Sequence, residues 1–162
     1  MNEAVNALSR ILTASGQTLA TAESCTGGLV SAQLTDLPGS SAWYRGGVVA
    51  YSNGLKINLL GVPPALLEGH GAVSPEVAGA MAEGACRACQ ADWALSVTGI
   101  AGPGGGTLAK PVGLVYMAVA GPESTQVWRH QFTGSRDEVR RQAAAQILDH
   151  FLAVLRGSQA AN

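Results

Sequence analysis

Charge is scarce in this chain. Only 13% of its 162 residues are Asp, Glu, Lys or Arg, and the formal net charge is −1 with no long basic run. Nucleic-acid binding needs a clustered positive face that displaces phosphate counterions, so DNA and RNA are excluded as expected partners. Long hydrophobic runs are missing too. No apolar stretch approaches 18 residues, and Glu3 and Arg10 interrupt the first 20, which leaves neither a membrane span nor a secretory leader to expect. The expectation is a soluble, cytoplasmic protein. Cysteine is limited to Cys25, Cys86 and Cys89, an odd set that argues for reduced thiols rather than a disulfide framework. Cys86 and Cys89 spell a C-x-x-C, but inside a helical pattern with no second Cys or His pair nearby. They are expected to pack as small hydrophobes, and no metal or cofactor is expected.

What is present is a hydrophobic share of 47% and 21 glycines spread along the chain. That suits one compact, turn-rich α/β domain, long enough to bury its own core. The domain is expected over residues 1–157, with a disordered tail at 158–162.

Hydrophobic periodicity orders the elements. Val5, Leu8, Ile11 and Leu12 predict a helix over about 3–15, ended by Gly16. Strands are predicted at Thr18–Ala22, Trp43–Tyr51, Trp93–Thr98, Val112–Ala120 and Thr125–Phe132, the last two joined as a hairpin. The unbroken Val48-Val49-Ala50 predicts a strand buried on both faces. Helices are predicted after Gly27-Gly28, at Leu55–Leu60, in a short piece ending near Gly69, and from the Ser74-Pro75 start to about Gln90. Ser135 and Glu138 form a capping box that opens the final helix. Alternating elements with a terminal hairpin imply a three-layer α/β/α domain around a mixed sheet of about five strands. Its site should lie where loops follow strands.

Chemistry gathers at three of those loops. Ser24 sits where the first strand breaks into a turn that reopens as a helix, so its hydroxyl is a candidate nucleophile beside free amides. Read locally, a Ser before Gly-Gly is also a helix cap. Cys25 is a direct rival, because a thiolate at a helix N-terminus is a strong nucleophile. Tyr51 and Lys56 follow the second strand. A serine without a suitable histidine needs another base, and a lysine with a lowered pKa serves, although an isolated lysine is usually a surface one. His70, His130 and His150 are expected to be structural or solvated. The loop Gly99–Gly106 lets backbone approach a phosphate or ribose, or is a plain turn; it matches neither a P-loop nor a dinucleotide fingerprint. Arg136 and Arg140, one turn apart, suit a bidentate phosphate contact or a solvated helix face.

Four blocks carry a resemblance: Thr21–Gly28, Gly47–Val62, His70–Ser74 with Thr98–Gly113, and Phe132–Arg140. In this order they resemble the CinA C-terminal domain family, whose stand-alone members look like nicotinamide mononucleotide amidohydrolases. The resemblance implies hydrolysis of the carboxamide of that nucleotide to nicotinic acid mononucleotide and ammonia, a step in pyridine nucleotide salvage. It implies Ser24 and Lys56 as the catalytic pair with Tyr51 beside them, and Arg136 as the arginine of the Phe132–Arg136 block. Backbone amides around Thr26, Gly27 and Gly28 are the expected oxyanion donors. Thr98, Gly99, Gly102, Gly104, Gly105, Arg136 and Arg140 are expected to hold ribose and phosphate. Longer members carry a further N-terminal domain, and its activities are not transferred. Two rivals stay open: a non-catalytic nucleotide- or partner-binding module, and an amidase for another small carboxamide. Apolar exposure near Trp43 or Trp128 would mark a homodimer face.

Overall fold

Alternation along three central strands decides which helices lie on which side. The computed structural model describes residues 3–160 and contains β1 (Leu19–Glu23), β2 (Tyr44–Val49), β3 (Trp93–Gly99), β4 (Leu114–Ala120) and β5 (Thr125–Gln131). They form one open, mixed sheet in the order β2-β1-β3-β4-β5. β1 runs parallel to β2 and β3, while β3, β4 and β5 pair antiparallel. Side chains of successive residues point to opposite faces. Leu19, Leu95, Val97, Val115, Met117 and Val119 therefore meet one helical layer, formed by α1 (Glu3–Ser15), α2 (Leu29–Thr35) and α6 (Arg136–Ala160).

The opposite face is built almost entirely from small residues. Ala20, Ala22 and Ala94 pack under α3 (Asn53–Leu60), α4 (Pro64–His70) and α5 (Pro75–Cys89), and Ala118 and Ala120 meet Ala78 and Ala82 of α5. Small side chains let α5 approach the sheet closely, so the Ser96 hydroxyl donates to the Ala78 carbonyl at 2.6 Å. Gly84 of α5 lies so close to α3 that a Cβ would overlap the Leu60 carbonyl oxygen. These layers bring the carboxyl ends of β1, β2 and β3 to one edge, where three loops converge.

Local capping follows the sequence. The Ser74 hydroxyl accepts from the Val77 N–H ahead of α5, and Pro75 occupies the first turn. Ser135 and Glu138 cap α6 reciprocally: the Ser135 N–H donates to the Glu138 carboxylate at 2.7 Å, and the Glu138 N–H donates to the Ser135 hydroxyl at 3.3 Å.

Three expectations are corrected. β2 is an edge strand rather than one buried on both faces, and Val49 is 45% exposed. It pairs only with β1, so its apolar run covers one flank and leaves the other open. Trp43 is 1% exposed and belongs to the core, so its ring supplies none of the apolar exposure expected there. Helix α6 continues through Ala160, so the tail expected from residue 158 is helical that far; residues 161 and 162 lie outside the described residues. Among the described residues no helix is long and apolar enough to cross a membrane.

Gly47 ties the edge strand to the interior. A Cβ there would lie on the Thr21 hydroxyl, within 2.8 Å of the Tyr44 hydroxyl and 3.1 Å of that of Ser31. Those three hydroxyls bond one another at 2.8–2.9 Å beneath β2. Gly47→Ala should therefore destabilise the fold by about 1–3 kcal/mol in urea denaturation, by forcing this cluster apart. An unchanged midpoint would contradict the close approach.

Candidate active site

The turn after β1 is shaped by its last residue. Glu23 is 1% exposed, and its carboxylate accepts from the N–H groups of Gly28, Val30 and Ser31 at 2.8–3.1 Å and from the Ser31 hydroxyl at 2.7 Å. It thereby satisfies the orphan amides at the start of α2, a task that Ser24 was expected to share as a cap. Gly27 and Gly28 have φ of +59° and +105°, left-handed conformations that glycine adopts without steric cost and that reverse the chain. Ser24 keeps its N–H in the sheet, donating to the Val97 carbonyl at 2.9 Å, and its side chain is left for other work.

That side chain meets Lys56. The end of β2 and a cap on α3, where the Ser52 hydroxyl accepts from the Leu55 N–H at 3.2 Å, carry Lys56 inward. Its stem is enclosed and the residue is 1% exposed. The Nζ lies 3.1 Å from Ser24 Oγ, 3.0 Å from the Ala50 carbonyl and 3.4 Å from the Tyr51 carbonyl. Carbonyls only accept. An ammonium could donate to all three partners; a neutral amine donates to both carbonyls and keeps a lone pair for the Ser24 hydroxyl. Burial pushes the Lys56 pKa below the ordinary lysine value, and no carboxylate pairs with it among the described residues. The pair can remove a proton from Ser24 and return it.

Cys25 differs from its neighbour. It is 6% exposed and sits in the larger apolar cluster, although it also borders the pocket. Burial, with a smaller contribution from the Glu23 charge, pushes its pKa up to about 12, against partial relief from a backbone hydrogen bond and the Arg140 charge. A thiol so held stays protonated at neutral pH.

Ser24, Tyr51, Lys56, Thr98 and Arg136 line one pocket of about 290 Å³ together with Gly99, Gly102, Gly104 and Gly105. Arg136 begins α6 and spans the mouth: Nη1 donates to the Gly102 carbonyl at 2.8 Å and Nη2 to the Tyr51 hydroxyl at 3.1 Å. The Tyr51 hydroxyl is thus held by Arg136, and the residue is 60% exposed. The Thr98 hydroxyl donates to the Ala72 carbonyl at 2.8 Å, fixing the segment before α5 against β3.

Four expected site residues lie elsewhere. Thr26, Gly27, Gly28 and Arg140 are outside the pocket lining. The amides of Gly27 and Gly28 are already engaged, by the Ser24 carbonyl at 3.1 Å and by Glu23 at 2.9 Å. Arg140 donates to the carbonyls of Cys25 and Thr26 instead of facing the cavity. Sequence reasoning missed Asn53, Ala72 and Val73, which also line the pocket. Asn53 directly follows Tyr51-Ser52 and had a polar signal; Ala72 and Val73 had none. A second groove of about 910 Å³, bordered by Trp128, His150 and Pro122, holds no predicted site residue. Among the described residues no group of three or more His, Cys, Asp or Glu could hold a metal ion.

The model of the CinA C-terminal domain matches residues 1–155. The chain belongs to the CinA C-terminal domain family. A CinA-like protein of Acidobacterium capsulatum is 58% identical over 134 residues, covering 83% of this chain and 32% of the relative. One of Anaeromyxobacter dehalogenans is 54% identical over 145 residues, covering 90% of this chain and 36% of the relative. The chain therefore spans about a third of the length of these curated relatives. Among solved structures, the competence/damage inducible protein CihA of Agrobacterium tumefaciens superposes with a TM-score of 0.89 at 40% identity, covering 96% of this chain and 94% of that one. The competence damage-inducible protein A of Klebsiella pneumoniae gives 0.92 at 35% identity, covering 96% of each. The α/β architecture of this CinA domain is thus that of its solved relatives.

Thiol chemistry offers a direct check on the Cys25 environment. In the native protein at pH 8, iodoacetamide should leave Cys25 unmodified by mass spectrometry, and denaturation should expose it to full labelling. Rapid native labelling of Cys25 would contradict a buried neutral thiol.

Proposed function

We propose that this CinA domain hydrolyses the carboxamide of nicotinamide mononucleotide to nicotinic acid mononucleotide and ammonia, with Ser24 as nucleophile and Lys56 as its base. The observation that carries this reading is the buried Lys56 Nζ, 3.1 Å from Ser24 Oγ. Neutral Lys56 takes the hydroxyl proton as Ser24 Oγ bonds to the carboxamide carbon, giving a tetrahedral oxyanion. The same proton then passes from Lys56 to the amide nitrogen, the C–N bond breaks and ammonia leaves. Water attacks the resulting ester, again giving its proton to Lys56, and Ser24 recovers its hydrogen as the acid departs.

The oxyanion needs donors, and the engaged Gly27 and Gly28 amides do not suit it. In the same turn the N–H of Cys25, a residue that borders the pocket, is the better candidate, and such a donor is worth roughly 3–4 kcal/mol of barrier. At the other end of the pocket, Arg136 stands at the first residue of α6, so a guanidinium and a helix N-terminus both favour an anion there. The glycine loop allows close backbone approach to phosphate and ribose. Sharing the site between an amide-cleaving pair and an anion-binding mouth is what a nucleotide carrying a carboxamide requires.

Ammonia release from nicotinamide mononucleotide, its riboside and unrelated amides tests the reading. Wild type should turn over the mononucleotide in preference to the others. Ser24→Ala and Lys56→Met should each fall by about three orders of magnitude or more, while Cys25→Ala stays within about tenfold. Full activity in Ser24→Ala with loss in Cys25→Ala would overturn the assignment. Turnover of another amide alone would move the substrate, and turnover of none would favour a binding module.

A further inference from the structure

We infer that Arg140 is a positioning residue for the nucleophile, acting through the peptide units that follow Ser24 rather than through substrate. The inference rests on Ser24 being the nucleophile. Arg140 and Arg136 lie one turn apart on α6 and would be expected to work together. Their guanidinium groups go to different places. Arg136 reaches the Gly102 carbonyl and the Tyr51 hydroxyl at the pocket mouth. Arg140 turns to the nucleophile turn, where Nε donates to the Cys25 carbonyl at 3.1 Å and Nη2 to the Thr26 carbonyl at 2.9 Å.

One planar fork therefore holds the two carbonyls next after that of Ser24. In a trans peptide the N–H points opposite to the C=O, so fixing a carbonyl also fixes the following amide. Holding the Cys25 carbonyl sets the direction of the Thr26 N–H. Holding the Thr26 carbonyl sets that of Gly27, whose N–H closes the turn onto the Ser24 carbonyl at 3.1 Å. A charged donor on each carbonyl also polarises these peptide units, which strengthens the Gly27 N–H bond to the Ser24 carbonyl and stiffens the turn that carries Ser24. The helix behind the fork is anchored, because Val139 and Ala143 on either side of Arg140 are buried in the core. Glycine at position 27 leaves the guanidinium its room: a Cβ there would lie 3.3 Å from Arg140 Nη2. Glu23 pins the far end of the same turn through Gly28, Val30 and Ser31. The nucleophile thus sits on a turn clamped from both sides, by a carboxylate of β1 and a guanidinium of α6.

A reagent without phosphate separates positioning from substrate binding. Phenylmethanesulfonyl fluoride modifies a serine as Oγ bonds to sulfur and fluoride leaves, and mass spectrometry follows its rate at Ser24 in wild type, Arg140→Met, Arg140→Lys and Arg141→Met. The Met variant should react about tenfold slower or less readily still, the Lys variant should be intermediate because it lacks the fork, and Arg141→Met should match wild type. With nicotinamide mononucleotide, Arg140→Met should lower kcat about 100-fold and leave KM within about threefold. Labelling at the wild-type rate, or a raised KM with unchanged kcat, would overturn the inference and return Arg140 to the substrate. If wild type labels at Ser24 but releases no ammonia, the substrate assignment falls and the labelling rates alone decide Arg140. Absence of Ser24 labelling in wild type overturns the inference together with the nucleophile. If Arg140→Met does not fold, the comparison of Arg140→Lys with wild type decides.

Discussion

The contact between the Lys56 amine and the Ser24 hydroxyl is the constraint around which this domain is arranged. An amine that is 1% exposed and has no carboxylate partner among the described residues is costly to keep charged, and two carbonyls and one hydroxyl are its polar neighbours. Neither residue could reach the other without the parallel pairing of β1 with β2. That pairing brings the turn after β1 and the start of α3 to the same sheet edge.

Holding the contact falls to residues with no chemistry of their own. Glu23 replaces a conventional cap on α2 and is linked through the Ser31 hydroxyl to Thr21 and Tyr44, so the edge strand, the first helix turn and the nucleophile turn form one hydrogen-bonded unit. The alanine-rich face of β1, β3 and β4 lets α5 settle close, and α5 in turn supports α3 through the Gly84 approach to Leu60. Packing of this kind resists small displacements, since close-packed interiors transmit strain rather than absorb it.

Much of this was legible in the sequence because the signals were local. Gly27-Gly28 marked the turn, Ser74-Pro75 and Ser135 with Glu138 marked helix starts, and the apolar periods marked five strands. What depended on distant partners was not. The run Val48-Val49-Ala50 reads the same in an edge strand as in a central one, and only the order of strands distinguishes them. Arg136 and Arg140 share spacing and residue type, yet one faces a cavity and the other a turn more than 100 residues earlier in the chain. The contrast between Ser24 and Cys25 likewise arises from burial in the larger apolar cluster and from Lys56, neither of which their own segment reveals. Glu23 has no signature in the sequence, because a carboxylate at a strand end carries no pattern until the amides of α2 surround it.

The central claim is that Lys56 is neutral at a pH where ordinary lysines are charged, and that its lone pair faces Ser24. Carbon-13 NMR of the lysine Cε, assigned with Lys56→Met and followed through a pH titration, reads that protonation state directly. The Lys56 resonance should titrate below the ordinary lysine value of about 10.5, with the neutral form growing as pH rises, and Ser24→Ala should alter its midpoint. A Lys56 resonance that titrates at the ordinary lysine value and ignores Ser24→Ala would contradict the account.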